Sequence, residues 1–221
     1  MATDFMTLKE TADALHVSER HARRLADSGA ITRVARGLVD RGSVDRYAAS
    51  HRQGRTRAWA EHTAWGAIAI LAGRDPAWLG ATQASRLRGT IRRIETAEDL
   101  LSRLRDRARV ENYAAHRSAV SHVRAVAVAA DLGRLGLVDA DAAERFDGYI
   151  AADEVDRTVR SLGLRAGNGN VTLRVVTLDF AVVRDLVASG LVAAIDAAES
   201  TDPRTRGVGR RAIEEVLEAL R

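Results

Sequence analysis

The sequence predicts a mainly α protein with small β elements, an α+β fold. Three observations predict it. Apolar residues recur at helical spacing through most of the 221 residues. Val171–Val176 (VTLRVV) is the densest β-branched run in the chain, bounded on one side by glycine and asparagine. The apolar mass, 46% of residues against 4% aromatic, is chiefly alanine, valine and leucine, which suits closely packed helices and speaks against global disorder.

The chain opens with two short helices around a tight turn, TLKETADALHVSERHARRLADSGAI. Thr7 and Glu10 form a capping box, Thr-x-x-Glu, that closes the first turn of a helix reciprocally. Leu8, Ala12 and Leu15 face one small core, and Leu15-His16-Val17 interrupts the helix. Ser18 caps a second helix, and Gly29 stands where a left-handed residue ends it. Ala22 and Leu25 turn inward with Val17 leading in, leaving Arg20, His21, Arg23 and Arg24 outside. A short helix with a small apolar seat and a cationic outer face is what reading of the DNA major groove requires. Arg36-Gly37 is the turn of a following hairpin, and a third helix starts near Ser43 with Val44 and Tyr47 inward. The polar run His51–Arg57 is read as a linker. Arg33, Arg36, Arg41, Arg55 and Arg57 lie in segments too short to bury them and are candidates for phosphate contact.

Helical periodicity resumes over Trp59–Ala72, with Trp65, Ile68, Ala69 and Ala72 on one face, and breaks at Gly73-Arg74-Asp75-Pro76. A helix over 82–94 turns Leu87, Ile91 and Ile94 inward and Arg86, Arg88, Arg92 and Arg93 outward. Thr96 and Asp99 cap another, with Leu100, Leu101 and Leu104 inside and Arg103, Arg105 and Arg107 on its far side. A short strand is expected over Arg109–Tyr113, then helical spacing towards Leu135, broken near Gly133 and Gly136. The acidic stretch Asp139–Glu144 begins a helix. Phe146–Ile150 suits a strand, and Asp153 caps a helix through Val155, Val159 and Leu162. The cluster 165–170 is a turn leading, as hairpin or strand entry, into VTLRVV. Three helices close the chain: one through Phe180, Val183 and Leu186 to Gly190, then Leu191–Glu199 and Arg204–Leu220, with Pro203 near a first turn, where its missing N–H does no harm.

Charge is distributed unevenly. Residues 1–57 and 58–135 each carry net +4, while 136–221 carry net −4. The basic front suits a phosphate backbone, and the acidic back suits a basic protein surface. Lys9 is the only lysine, so the cationic side chains are arginines, the better phosphate and guanine donors. The chain contains no cysteine, which removes disulfides and thiolate chemistry. The start MATDFMTLKE, with Asp4, does not read as a secretory signal, and Trp65–Ala72 is too short to span a bilayer, so a cytoplasmic protein without membrane contact is expected.

Catalytic motifs are lacking. Gly167-Asn168-Gly169-Asn170 is not followed by Gly-Lys-Ser/Thr and is read as a turn, not a phosphate loop. The histidines His16, His21, His51, His62, His116 and His122 are scattered, and His116 and His122 do not fit one metal-binding face. Asp153, Glu154 and Asp156 suit the opening of a helix. No enzyme activity, metal or cofactor is expected.

Two resemblances bear on function. The stretch from Thr7 to Ile31, followed by VARGLVDRGSVDRYAAS, resembles the excisionase and MerR type of winged helix-turn-helix, with His21 where many relatives place threonine. GYIAADEVDRTVRSLGLR, GNGNVTLRVV and LVAAIDAAESTDPRTRGVGRRAIEEVLEAL resemble the C-terminal part of AbiEi-type antitoxins of type IV toxin–antitoxin systems. The front end departs from part of that second family, whose winged helix is of another sequence type. Together they imply a winged helix-turn-helix over residues 1–52, a helical middle region over 58–135 and a mixed α/β partner-binding region over 136–221. They also imply a transcriptional repressor that binds its own promoter as double-stranded DNA and opposes a nucleotidyltransferase toxin encoded nearby. DNA contact is expected from Ser18, Arg20, His21, Arg23, Arg24, Arg33, Arg36, Arg41, Arg55 and Arg57, with a homodimer on paired half-sites. The alternative is an excisionase-type or phage-type DNA-binding regulator without a toxin partner. A small enzyme with a regulatory head is a third reading, for which no motif speaks.

Overall fold

Thr7 and Glu10 close on each other as a capping box: the Thr7 N–H donates to Glu10 Oε2 at 2.8 Å, and the Glu10 N–H to Thr7 Oγ1 at 3.2 Å. The structure is a computed structural model that describes residues 5–15, 17–27, 29–51, 57–138, 143–167 and 169–220, with the backbone alone for 46 and 49–51. The chain divides into two compact units, Met1–Thr56 and Arg57–Arg221. Its elements are mainly helices with two small sheets, an α+β fold.

In the first unit, strand β1 (Phe5–Thr7) leads directly into helix α1 (Leu8–Leu15), and α2 (Glu19–Asp27) follows after a short turn. Gly29 takes φ +76° just beyond α2, the left-handed conformation that lets the chain leave a helix at no steric cost. Strands β2 (Arg33–Ala35) and β3 (Leu38–Asp40) form the hairpin around Arg36-Gly37, with Gly37 at φ +81°. Strand β1, too short to stand out in the sequence, pairs with the far side of β3 and completes a sheet of order β1-β3-β2. Helix α3 (Arg41–His51) starts earlier than expected at Ser43. Its opening is held by Asp40, whose Oδ2 accepts the Ser43 N–H at 2.6 Å, while Ser43 Oγ accepts the Thr32 N–H at 2.9 Å. Met6, Ala26, Ile31, Val39 and Val44 form the core, with Leu8, Leu15, Leu25 and Tyr47 packed against it.

The second unit has one sheet between two apolar layers. Its helices and strands in order are α4 (Glu61–Leu71), α5 (Ala81–Ile91), α6 (Ala97–Leu104), β4 (Arg109–Ala114), α7 (Arg117–Val126), β5 (Phe146–Ala151), α8 (Ala152–Leu162), β6 (Arg165–Ala166), β7 (Val171–Val176), α9 (Phe180–Val187), α10 (Leu191–Ala198) and α11 (Pro203–Glu218), with a 3-10 turn at Leu132–Leu135. The sheet order is β5-β7-β4-β6. VTLRVV is an inner strand, parallel to β5 and antiparallel to β4, and it carries buried side chains on both faces. Val171, Leu173 and Val175 face a core with Val120, Val123 and Ile150 from α7 and β5. The alternate side, with Val176 and Tyr149, joins a larger core around Trp65, Ile68, Leu100, Leu104, Ile195 and Ile213.

That larger core changes the expected organisation. The expected helical middle region, 58–135, and mixed α/β region, 136–221, belong to one compact unit: α4 and α6 pack into the same core as α9, α10 and α11. Helix α4 is buried nearly all round, from Ala64 to Ala69, rather than on the one face its periodicity suggests. Strand β6 pairs with β4, so no hairpin joins it to β7. Helix α8 is entered from Ala151 without a side-chain cap, and Asp153 lies in its first turn instead of capping it. Thr96 and Asp202 do cap α6 and α11, with Pro203 at the head of α11 as expected. Gly209 lets α11 cross α10 closely: a Cβ there would lie 2.3 Å from the Ala198 nitrogen. Residues 139–142, expected to open a helix, and Asn168 of the turn cluster lie outside the described residues. Among the described residues no helix is long and apolar enough to cross a membrane.

Candidate nucleic-acid interface

Helix α2 is short and strongly two-sided. Ala22 and Ala26 are buried, Leu25 packs at the edge of the core, and Arg20, Arg23 and Arg24 are exposed. The helix packs against α1 with the small alanines on its buried side, while its cationic side stands clear. Ser18 Oγ accepts the His21 N–H at 3.3 Å and its carbonyl accepts from Ala22 at 2.9 Å, so Ser18 holds the helix start. His21 is half-buried, and Arg24 donates from Nη2 to its Nδ1 at 2.9 Å. A guanidinium has no acceptor, so Nδ1 accepts and a neutral His21 keeps its proton on Nε2. The contact pins Arg24 and His21 to each other on the outer side of α2.

The hairpin stands beside this helix within the same unit. Arg36 is exposed at its turn. Arg33 is not a free cation: its guanidinium meets Asp27 at the end of α2 at 2.6 Å, fastening the hairpin to the helix. The Gly37 carbonyl accepts from Leu8 N at 3.2 Å, tying the turn to the start of α1. Arg41 is exposed on the first turn of α3, near Glu10. Hydrogen bonds from Thr7, backbone first, hold the Glu10 carboxyl below its ordinary value, and Arg41 adds to that pull. The structure therefore brings Ser18, Arg20, His21, Arg23, Arg24, Arg33, Arg36 and Arg41 together in one unit. Arg55 lies outside the described residues, as does His16, and Arg57 is exposed as the first residue of the second unit.

The strongest polar feature of the second unit was not legible as such. Arg107, expected on the far side of α6 with Arg103 and Arg105, is only 2% exposed. All five of its N–H groups have partners. Nη1 and Nη2 reach the two Glu199 oxygens at 2.7 Å each, Nη2 also reaches Asp196 Oδ1 at 2.9 Å, Nη1 reaches the Leu104 carbonyl at 3.4 Å, and Nε reaches Tyr149 Oη at 3.0 Å. Tyr149 donates in turn to Asp196 Oδ1 at 2.7 Å. Arg174 extends the cluster, donating to both Asp147 oxygens and, at 3.0 Å, to Glu199. Arg103 is half-buried and held by Asp99 at 3.0 Å, while Arg105 stays exposed, so the three expected on one outer row have three different surroundings.

Electrostatics follow from this packing. Desolvation alone would raise Glu199, but the charge and hydrogen bonds of Arg107, joined by Arg174, hold its carboxyl down at about 2. At Asp196 desolvation prevails over Arg174 and Arg107, and its carboxyl is raised. Desolvation likewise pushes the Tyr149 phenol up. The cluster borders an open cleft of about 940 Å³ between the polar sheet face and the α10–α11 turn. With its donors satisfied internally, its chemistry is that of a clamp joining α6, β5, β7 and α10.

No family model, curated protein or solved structure matches the chain.

Proposed function

We propose that the chain is a DNA-binding transcriptional repressor and the antitoxin of a type IV toxin–antitoxin pair. It would repress its own promoter and oppose a nucleotidyltransferase toxin encoded beside it. The observation that carries the DNA-binding part is the outer face of α2, where Arg20, Arg23 and Arg24 stand exposed opposite the buried Ala22 and Ala26. Three arginines on a short helix, seated by alanines and flanked by an exposed hairpin, have the size and donors needed to enter a major groove and reach guanine edges. Arg36 and Arg41 supply cations suited to the adjoining phosphates. No catalytic role is assigned to any residue.

The antitoxin part rests on the resemblance of the back half to AbiEi-type proteins and on the separateness of the two units. The second unit has its own apolar cores, as a module with its own partner requires. Its acidic C-terminal portion, with Glu144, Glu214, Glu215 and Glu218 described and Asp141 outside the described residues, suits a basic partner surface. An excisionase-type factor would need only the first unit.

Two assays test the proposal. The chain should prefer its own promoter over an unrelated duplex at equal salt, and equal affinity for both would overturn the repressor reading. Residues 58–221, co-expressed with the neighbouring gene product, should lose preference for the promoter yet still rescue growth. Rescue by the full chain alone would overturn the division of labour.

A further inference from the structure

Helix α5 carries a second cationic surface, in the unit that the operator-reading helix does not belong to. Its inner side is Ala84, Leu87 and Ile91, all buried. At 100° per residue, position 89 falls at the crest of the opposite side, and it is glycine. Arg86 lies one turn before it, and Arg92 and Arg93 one turn after, all exposed. The helix ATQASRLRGTI holds no carboxylate. Arg88 is paired with Asp75 at 3.1 Å, whereas among the described residues Arg86 and Arg92 make no ion pair and the Arg93 guanidinium donates to the Gly89 carbonyl alone, at 3.1 Å.

Gly89 is the informative residue. A glycine inside a helix weakens it relative to alanine, and its usual justifications are a left-handed backbone or a close internal neighbour. Neither applies: Gly89 does not have a positive φ, and a Cβ placed there would meet nothing within 4 Å. Gly66 and Gly209, by contrast, each face a neighbour closer than 3 Å. The helix C-terminus accounts for arginine at 92 and 93 through its dipole, but not for Arg86 or for the bare crest between them. The same spacing recurs at Arg204, Gly207 and Arg211 on α11, again with open space over the glycine, though there Glu214 and Glu215 follow closely. With open space over the Gly89 Cα and Arg86, Arg92 and Arg93 around it, this side of the helix admits a phosphodiester chain closely, with arginines on either side of it.

We infer that the outer face of α5, centred on Gly89 and carried by Arg86, Arg92 and Arg93, is a sequence-independent binding surface for the phosphate backbone of duplex DNA. It rests on the DNA-binding reading above and adds a second contact to it, one that strengthens binding to every sequence and leaves base preference to α2.

The test uses the full-length chain and an unrelated duplex over a range of salt concentrations. Arg86→Ala/Arg92→Ala/Arg93→Ala should flatten the dependence of log affinity on log salt by about two to three units, since each lost phosphate contact removes about 0.9. Gly89→Gln, which restores a helix-favouring residue, should keep or raise Tm and still weaken binding several-fold. The triple variant should also lower residual affinity in the Arg20→Ala/Arg24→Ala background, which separates this surface from α2. Loss of promoter preference in that background alone bears on the first reading. An unchanged salt slope in the triple variant, or a Gly89→Gln chain that binds as the parent does, overturns the α5 surface.

Discussion

Arg107 and Glu199 meet through two parallel hydrogen bonds of 2.7 Å, although 92 positions separate them in sequence. This fork-to-fork contact joins the end of α6 to the end of α10, and Asp196 and Tyr149 complete it. Removing the guanidinium leaves two carboxylates facing each other in a poorly solvated site. Arg107→Leu should destabilise the second unit by about 3 kcal/mol, the low end for a broken buried pair because the Glu199 side chain stays 28% exposed. Arg107→Lys should recover only part of that, since an ammonium cannot bridge both oxygens in the same plane. Denaturant unfolding followed by tryptophan fluorescence reads both; a loss well under 1 kcal/mol in the leucine variant would show that the clamp is not what holds α10.

The same contact sets the acid response. Glu199 is held at about 2 in the folded chain against an ordinary 4.5, so its stabilising contribution is full above about pH 4.5 and is lost as pH falls towards 2. Asp196 is raised, so its protonation on acidification favours the fold and opposes that trend. Glu199→Gln should therefore be less stable than the parent at neutral pH and show a flatter acid limb. Parallel stability curves for the two proteins from pH 7 to 2 would contradict this assignment.

At the hairpin the structure separates two arginines that look alike in sequence. Arg36→Ala should flatten the salt dependence of duplex binding by about one unit. Arg33 is engaged by Asp27, so Asp27→Asn, which frees it, should strengthen binding to unrelated DNA and steepen the salt slope. An Asp27→Asn chain with weaker binding and an unchanged fold would mean that the Asp27–Arg33 contact positions the hairpin for DNA.

What the sequence disclosed and what it hid divide along the range of the interactions. The Thr7–Glu10 box, the Ser18 cap, Gly29, the Arg36-Gly37 turn and the VTLRVV strand are local devices, and each stands where the residues indicate. Strand β1 was hidden because three residues carry no period; its pairing depends on β3, more than 30 positions on. Asp40, three residues before Ser43, holds the start of α3; both are good capping residues, and the choice between them depends on where β3 ends. The burial of Arg107 is hidden for the same kind of reason. This arginine follows Arg103 and Arg105 at a spacing that reads as a solvated row, and nothing nearby announces partners at Asp196 and Glu199. Of the candidate interface, the outward side of α2 was legible, while the Asp27 contact that restrains Arg33 was not.

Base reading by α2 is the core of the proposed function. Its most direct test is titration of the chain's own promoter with the parent, Arg20→Ala and Arg24→Ala proteins, at one salt concentration and with circular dichroism confirming the fold. An arginine that forms a bidentate base contact should cost about 1–3 kcal/mol of specific binding when removed, with little change on unrelated duplex. Arg24→Ala should also release His21 from the 2.9 Å contact that orients it. Specific affinity that falls by this amount in at least one variant supports α2 as the reader; affinity for the promoter unchanged in both, with the fold intact, contradicts it.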